Sequence, residues 1–188
     1  MVDTAWYLRL FYVPIVNVII SMLLYKIINA KRMTGSGPGR PWAIVYFIGL
    51  ILLCVLLWFV PFGINLAFWI GISIIAFGHV VFALGYSAMR EHPEKKKGVV
   101  DWGIYKVSRH SHVLAGKIVT LGAIVMGWDF RSTVYIILWG YFVLYVIVSH
   151  LYVLNEEKVN IERFGQEYVD YMNRTPRYIG ILKPGEKG

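Results

Sequence analysis

The 188-residue chain has few charged residues: only 16% are Asp, Glu, Lys or Arg, whereas 57% are hydrophobic. A soluble domain carries closer to a quarter of its residues as charges, so an ordinary soluble globular protein is a poor fit. Between Arg40 and Arg90, 49 consecutive positions hold no charged residue. Because a membrane-spanning helix needs about 20 apolar residues, this stretch alone accommodates two spans. The sequence therefore predicts a polytopic membrane protein.

Cysteine is nearly absent as well. The single Cys54 lies in an apolar run, so no intramolecular disulfide can form, and no set of Cys and His residues has the spacing of a zinc site. Acidic residues number 11 against 19 basic ones, which gives a net charge of +8. The basic residues cluster in the connectors between apolar runs, as they do on the cytoplasmic side of membrane proteins. This placement argues against nucleic acid as a partner.

The apolar runs predict an all-α membrane protein with five spans and a helical C-terminal segment. The spans cover residues 6–28, 42–60, 66–89, 112–128 and 133–154. Pro14 is expected to kink the first span, because its ring removes one backbone hydrogen bond. Lys117 lies inside the fourth span, where its side chain is expected to extend toward lipid headgroups. His79 and His150, in or near the ends of spans, are expected to be packed and hydrogen-bonded.

The distribution of basic residues predicts the orientation of these spans. Sixteen of the nineteen lie in the first connector, the third connector and the tail, whereas Arg9 and Arg131 lie on the opposite side. Because positive charge is enriched on the cytoplasmic side, we expect an external N terminus and a cytoplasmic tail from Asn155 onward. We expect a single membrane domain, with three spans in residues 1–97 and the functional part in residues 98–188.

Polar residues concentrate around the predicted hairpin of spans four and five. Arg109, His110 and His112 precede or begin span four, and Glu156 and Glu157 follow span five. Because the two spans form a hairpin, we expect these cations and carboxylates to meet at one membrane edge. Ionisable groups inside a membrane bundle indicate function, because burying them in hydrocarbon is costly. The alternative is an interfacial cluster in which Arg and His contact headgroups and Glu pairs with nearby Lys.

Two motifs flank this hairpin. The first reads Gly-Ile-Tyr-Lys-Val-Ser-Arg-His over residues 103–110, and the second runs from Glu156-Glu157 to Phe-Gly-x-x-Tyr-x-x-Tyr, ending at Tyr171. In this order, and with the closing Arg-Thr-Pro-Arg at 174–177, they resemble the isoprenylcysteine carboxyl methyltransferase and phospholipid methyltransferase family of integral membrane enzymes. The resemblance extends over residues 99–178.

The chain departs from the family pattern at three positions. Ser111, Val113 and Asn160 stand where the family has Pro, Tyr and Leu. The loss of the proline frees the entry to span four, and the loss of the tyrosine removes a ring from the expected cofactor pocket. These changes affect the expected substrate class more than the family resemblance.

The resemblance implies S-adenosylmethionine as the cofactor, bound at the cytoplasmic ends of the last spans. Arg109 or His110 would pair with its carboxylate through charge-assisted hydrogen bonds, and a glutamate would accept from its amine or ribose. An aromatic ring would face the adenine or the sulfonium. The expected cofactor-binding residues are Gly103, Tyr105, Arg109, His110, His112, Glu156 and Glu157. Replacing His110 or Glu157 is expected to weaken cofactor binding and to leave stability nearly unchanged.

The resemblance leaves two acceptors open, both taken from the bilayer. A phospholipid amine headgroup must lose a proton, for which Glu156, Glu157 or His110 is the candidate base. The carboxylate of an isoprenylated cysteine is already ionised and needs a cation, for which Arg174 is the candidate. The amine is the preferred acceptor. For the two acceptors together, the candidate catalytic residues are Glu156, Glu157 and Arg174. An alternative of another class is a non-enzymatic membrane subunit that binds lipid headgroups or a partner.

Overall fold

The computed structural model describes residues 6–30, 40–90, 98–129 and 131–179, and within these ranges the regular structure is helical. Short 3₁₀ turns precede the first and fourth α-helices. The α-helices are α1 (Tyr12–Ile28), α2 (Arg40–Trp58), α3 (Leu66–Ala88), α4 (Ser111–Met126), α5 (Thr133–Phe164) and α6 (Gln166–Arg174). Much of the basic first and third connectors and the end of the tail lie outside the described residues.

Helices α1 to α5 occupy the five predicted apolar runs, with two differences. Pro14 is the third residue of α1, in the first turn, where its nitrogen would lack an intrahelical partner in any case. The prediction that Pro14 kinks the first span is therefore wrong. Helix α5 continues ten residues past the predicted end at 154 and stops at Phe164, before Gly165, whose φ is +58°. Its 32 residues make it about 48 Å long.

In the part of the chain that the structure describes, two helices, α3 and α5, are long and apolar enough to cross a membrane. Helices α1 and α4 and the stretch Ile44–Trp58 of α2 are apolar but shorter, so the helix lengths establish two candidate spans and not five. Only 17% of the most apolar window of α3, and likewise of α5, is buried inside the protein. Large apolar side chains such as Ile70, Phe77 and Leu144 are exposed instead. An apolar outer surface of this extent favours association with a membrane.

Close packing of α3 against α4 depends on glycines spaced seven residues apart. A Cβ on Gly71 would lie 2.3 Å from Met126 Cγ, and one on Gly78 would lie 2.6 Å from Val119 Cγ2. Gly85 repeats the pattern one heptad later, against the ring of His112. Small residues at such an interface let two membrane helices approach closely. This packing positions the N-terminal end of α4.

The bundle has two buried clusters, one at each end. The first, which we call the apolar end, contains Leu10, Leu57, Val60, Tyr135 and Leu138 among its members. The second lies where α3 ends and α6 packs, and it includes Ala88, Val99, Tyr105, Tyr168 and Tyr171. The second cluster fixes α6, the predicted C-terminal helical segment, against the turn that precedes α4. We call this region the motif end because both sequence motifs meet there.

Candidate functional site

The first motif enters α4 through a tight turn. Gly103 has a φ of +58°, in the left-handed region that residues with a Cβ rarely adopt. The 3₁₀ turn Gly103–Lys106 then buries Tyr105. The hydroxyl of Tyr171 donates a hydrogen bond to the carbonyl oxygen of Tyr105 at 2.7 Å. The last tyrosine of the second motif therefore anchors the turn of the first.

The end of the chain lies beside the first motif. The backbone nitrogens of Arg109 and His110 donate to the carbonyl oxygens of Pro176 and Arg177 at 3.0 and 3.2 Å. The hydroxyl of Ser108 also donates to the carbonyl of Arg177, at 3.3 Å. We call residues 175–178 the tail strap. Its backbone satisfies the donors of the segment that leads into α4, so the two segments are held in a fixed register.

Glu157 is the centre of the motif end. Its side chain is only 4% exposed and accepts hydrogen bonds from Arg109 Nη2 at 2.9 Å, His110 Nε2 at 3.2 Å and Arg177 Nη2 at 2.7 Å. Arg177 Nε donates to both carboxylate oxygens, at 3.0 and 3.1 Å. The predicted meeting of Arg109 and His110 with the glutamate pair is confirmed.

Arg109 connects this centre to the tail. Its Nη1 donates to the carbonyl oxygens of Met172 and Thr175 at 2.7 and 2.6 Å, and its Nη2 binds Glu157. One buried guanidinium thus joins α5, the end of α6 and the tail strap. Arginine suits this position because its planar group presents several donors in a fixed geometry.

His110 lies between the two glutamates. Its Nδ1 is 3.3 Å from Glu156 Oε2 and its Nε2 is 3.2 Å from Glu157 Oε1. An ionised carboxylate only accepts hydrogen bonds, so both ring nitrogens are satisfied only when both carry a proton. Burial lowers the pKa of His110, but the hydrogen bonds and charges of Glu156 and Glu157 outweigh it and raise that pKa above its ordinary value. The two carboxylates on opposite sides of the ring therefore favour the imidazolium form of His110.

The two glutamates have different environments. Burial raises the pKa of Glu157, but the hydrogen bonds from His110 and Arg177 and the charge of Arg109 hold it well below its usual range. A carboxylate so fully paired is a poor proton acceptor, so its geometry favours a positioning role. Glu156 is more accessible, with 15% of its side chain exposed, and its contacts include His110 and Tyr152. Of the two, the geometry favours Glu156 as a base.

The remaining predicted residues have other partners: Tyr105 and His112 pair with each other, and Arg174 pairs with Asp101. The hydroxyl of Tyr105 is 2.8 Å from His112 Nδ1, and the ring of His112 packs against Tyr86 of α3, with centroids 4.8 Å apart. Arg174 is 58% exposed on α6, where it pairs with Asp101. Within the described part of the chain, the structure does not bring Arg174 to Glu157.

Four buried polar atoms near the motif end have no hydrogen-bond partner among the described residues. They are Arg109 Nε, Ser111 Oγ, His112 Nε2 and Asn160 Oδ1. Buried polar atoms are nearly always hydrogen-bonded in native proteins, so these atoms mark places where a polar ligand would find partners. Two of them belong to positions at which the sequence departs from the family pattern, Ser111 and Asn160.

Arg177 is the site residue that sequence reasoning missed. It belongs to the closing Arg-Thr-Pro-Arg motif, in which the sequence favours Arg174 as the acting residue. The structure reverses their positions, because Arg177 binds Glu157 and Arg174 is exposed. The spacing of two arginines does not tell which one turns inward, because α6 ends between them and the chain direction changes there.

Comparison with known proteins gives no match to a family model, to a curated protein or to a solved structure. The features that bear on function are therefore the two motifs and the geometry of the motif end.

Proposed function

We propose that this protein is an integral membrane methyltransferase that uses S-adenosylmethionine and modifies an acceptor taken from the bilayer. The observation that carries the proposal is the buried pair of Arg109 and Glu157, 2.9 Å apart although 48 residues separate them in the chain. Each residue belongs to one of the two motifs that resemble the methyltransferase family. A merely solubilising segment would not bury these charges together, because their desolvation is costly.

The topology that accompanies this proposal has five spans, an external N terminus and a cytoplasmic motif end. Its support is the placement of α1 to α5 on the predicted apolar runs, together with the apolar outer surface. The number of basic residues in the first connector, the third connector and the tail favours this orientation. Glu157 and the tail strap would then lie just beyond the hydrocarbon, at the level of the lipid headgroups.

The residues at the motif end fit the proposed cofactor. Arg109 Nε is an unused donor for a carboxylate, and Asn160 Oδ1 is an unused acceptor for an amine or a ribose hydroxyl. Ser111 Oγ can donate or accept. The cofactor supplies a methyl group carried on a positively charged sulfur. The protein contributes alignment and exclusion of water, and the paired Arg109, Glu157 and Arg177 hold the tail strap in place for that purpose.

A cavity of about 300 Å³ between α2, α4 and α5 supports an acceptor from the membrane. Its walls are mainly apolar, and Thr120, Tyr145 and Ser149 add polar atoms. Glu156 lies seven residues after Ser149 on α5, which is about 10 Å along the helix. An apolar chain in this cavity would place its headgroup toward Glu156.

An amine headgroup fits this arrangement better than a carboxylate. Glu156 would take the proton that an ammonium group must lose before its nitrogen can accept a methyl group. The expected cation for a carboxylate acceptor, Arg174, is instead exposed and paired with Asp101. The phospholipid amine is therefore the preferred acceptor, and the isoprenylcysteine carboxylate is the alternative.

The test uses the full chain in lipid nanodiscs. We expect S-adenosylhomocysteine to bind in a calorimetric titration, and Asn160→Leu to weaken that binding while Arg131→Gln, far from the motif end, leaves it unchanged. Labelled S-adenosylmethionine is expected to transfer its methyl group to phosphatidylethanolamine in the disc. A folded sample that binds no S-adenosylhomocysteine would contradict the proposal and favour the non-enzymatic membrane subunit.

A further inference from the structure

Three segments of the chain meet at Tyr178, outside the Glu157 centre. Lys117 of α4 lies with its Nζ 4.0 Å from the centroid of the Tyr178 ring. His150 of α5 lies with its Nδ1 3.2 Å from the Tyr178 hydroxyl. A cation over an aromatic face is an attractive contact. Two basic side chains from the α4–α5 hairpin therefore share one ring of the tail strap.

These two basic groups have no acidic partner among the described residues. The contact of Lys117 is the Tyr178 ring, and that of His150 is the Tyr178 hydroxyl. The nearby carboxylates are committed elsewhere, since Glu157 binds Arg109, His110 and Arg177, and Glu156 binds His110. A half-buried ammonium without a counter-charge is costly in apolar surroundings, so an anion at this point would relieve that cost.

The position next to the cavity indicates what kind of anion fits. Thr120, which lines the cavity between α2, α4 and α5, is one turn from Lys117 on the same face of α4. Ser149, which also lines it, precedes His150 on α5. Each residue of the basic pair therefore lies within one helical turn of a residue that lines this mainly apolar cavity. This arrangement matches an amphiphile that has an anionic head and an apolar chain.

We propose that Lys117, His150 and Tyr178 form a binding site for the phosphate group of a phospholipid whose chain occupies this cavity. Lys117 donates charge-assisted hydrogen bonds to the phosphate oxygens. Tyr178 supplies a ring beneath the ammonium and orients His150. Lipid binding at this site requires no methyl transfer. The inference rests on the proposed function only where it identifies this lipid as the methyl acceptor.

The test measures binding to the full chain in detergent with three probes: a short-chain phosphatidylethanolamine, the diacylglycerol of the same chain length, and inorganic phosphate. We expect Lys117→Gln to weaken phosphatidylethanolamine binding by about tenfold or more and to leave diacylglycerol binding unchanged. Lys117→Arg is expected to retain most of the affinity. Lys106→Gln is the matched control, because it removes an exposed lysine at the motif end.

The other probes distinguish the source of the phosphate. Val148→Phe, which fills the cavity, is expected to weaken phosphatidylethanolamine binding and to leave inorganic phosphate binding unchanged. Inorganic phosphate bound as tightly as the lipid, or equal lipid affinity in Lys117→Gln and the parent, would overturn the proposal. Titration of Lys117→Gln with S-adenosylhomocysteine separates the two proposals. If this variant binds S-adenosylhomocysteine normally and also binds phosphatidylethanolamine as tightly as the parent, the phosphate site is contradicted and the cofactor site is not.

Discussion

The two ends of the bundle are both buried, but they are held together by different forces. At the apolar end, Leu10, Leu57 and Leu138 pack with almost no exposure, and the Tyr135 hydroxyl donates to the carbonyl of Ile124 at 3.1 Å. Such apolar contacts are non-directional and follow buried area. At the motif end, Glu157 holds the side chains of Arg109, His110 and Arg177 in fixed positions.

This difference is informative because buried ion pairs are a costly way to stabilise a fold. Replacing such pairs by well-packed apolar residues is often neutral or even stabilising. The apolar end shows that the same chain can close a bundle mainly with apolar side chains. The charges buried at the motif end therefore indicate that polar groups must be held in fixed positions there. A binding site for a charged ligand has this requirement.

The largest expected effect comes from breaking the charge cluster. Glu157→Gln removes the counter-charge of Arg109, His110 and Arg177, and the loss of one partner from a buried pair costs about 3–5 kcal/mol. We therefore expect a large fall in melting temperature, in contrast to the nearly unchanged stability expected from sequence alone. Glu162→Gln, an exposed position on the same helix, is the control. Equal melting temperatures for both variants would contradict the central role of Glu157.

A second variant tests whether the close approach of α3 and α4 is what positions the motif end. In Gly78→Ala the new Cβ would lie 2.6 Å from Val119 Cγ2 and 3.2 Å from its backbone nitrogen. Overpacking of this kind costs about 1–3 kcal/mol. Gly140→Ala is the matched control, because nothing lies within 4 Å of that Cβ. The prediction fails if thermal unfolding shows the two alanine variants to be equally stable.

The sequence alone predicts the positions of the helices, and it also predicts that the two motifs meet. Hydropathy locates α1 to α5, and the hairpin of the last two apolar runs brings Arg109 near Glu157. Hydropathy does not predict the length of α5, because it reports where the apolar run ends, at 154. The helix continues through the more polar residues 155–164, half of which are Glu, Lys or Arg with good helix propensity, and it ends before Gly165.

Other features depend on tertiary contacts that no local pattern specifies. The inward turn of Arg177, in place of Arg174, follows from the path of the tail strap along Arg109 and His110. The packing role of the α3 glycines depends on which helix lies opposite them. The contact of Lys117 with Tyr178 joins residues 61 positions apart, so the sequence offers only headgroup contact as the role of Lys117.

A smaller effect is expected from the protonation of His110. Because Glu156 and Glu157 hold its pKa above the ordinary value, its contribution to stability is complete below the unfolded-state pKa of about 6.5. That contribution disappears as the pH rises through the higher folded-state pKa. As the pH rises above about 6.5, we expect the melting temperature of the parent to fall by more than that of His110→Gln. Parallel curves for the two proteins would show that His110 is not held as an imidazolium.

The smallest effect on stability is expected for Arg174→Gln, and it also distinguishes the two acceptors. The pair of Arg174 and Asp101 is solvent-exposed on the arginine side, and such pairs contribute about 0–1 kcal/mol. If the acceptor is an amine, Arg174 has no part in its recognition, and methyl transfer to phosphatidylethanolamine should be nearly unchanged. Transfer to an isoprenylated cysteine peptide, measured with the same labelled cofactor, should be absent in parent and variant alike. A parent that methylates the peptide, together with a variant that does not, would instead establish the carboxylate as the acceptor and Arg174 as its partner.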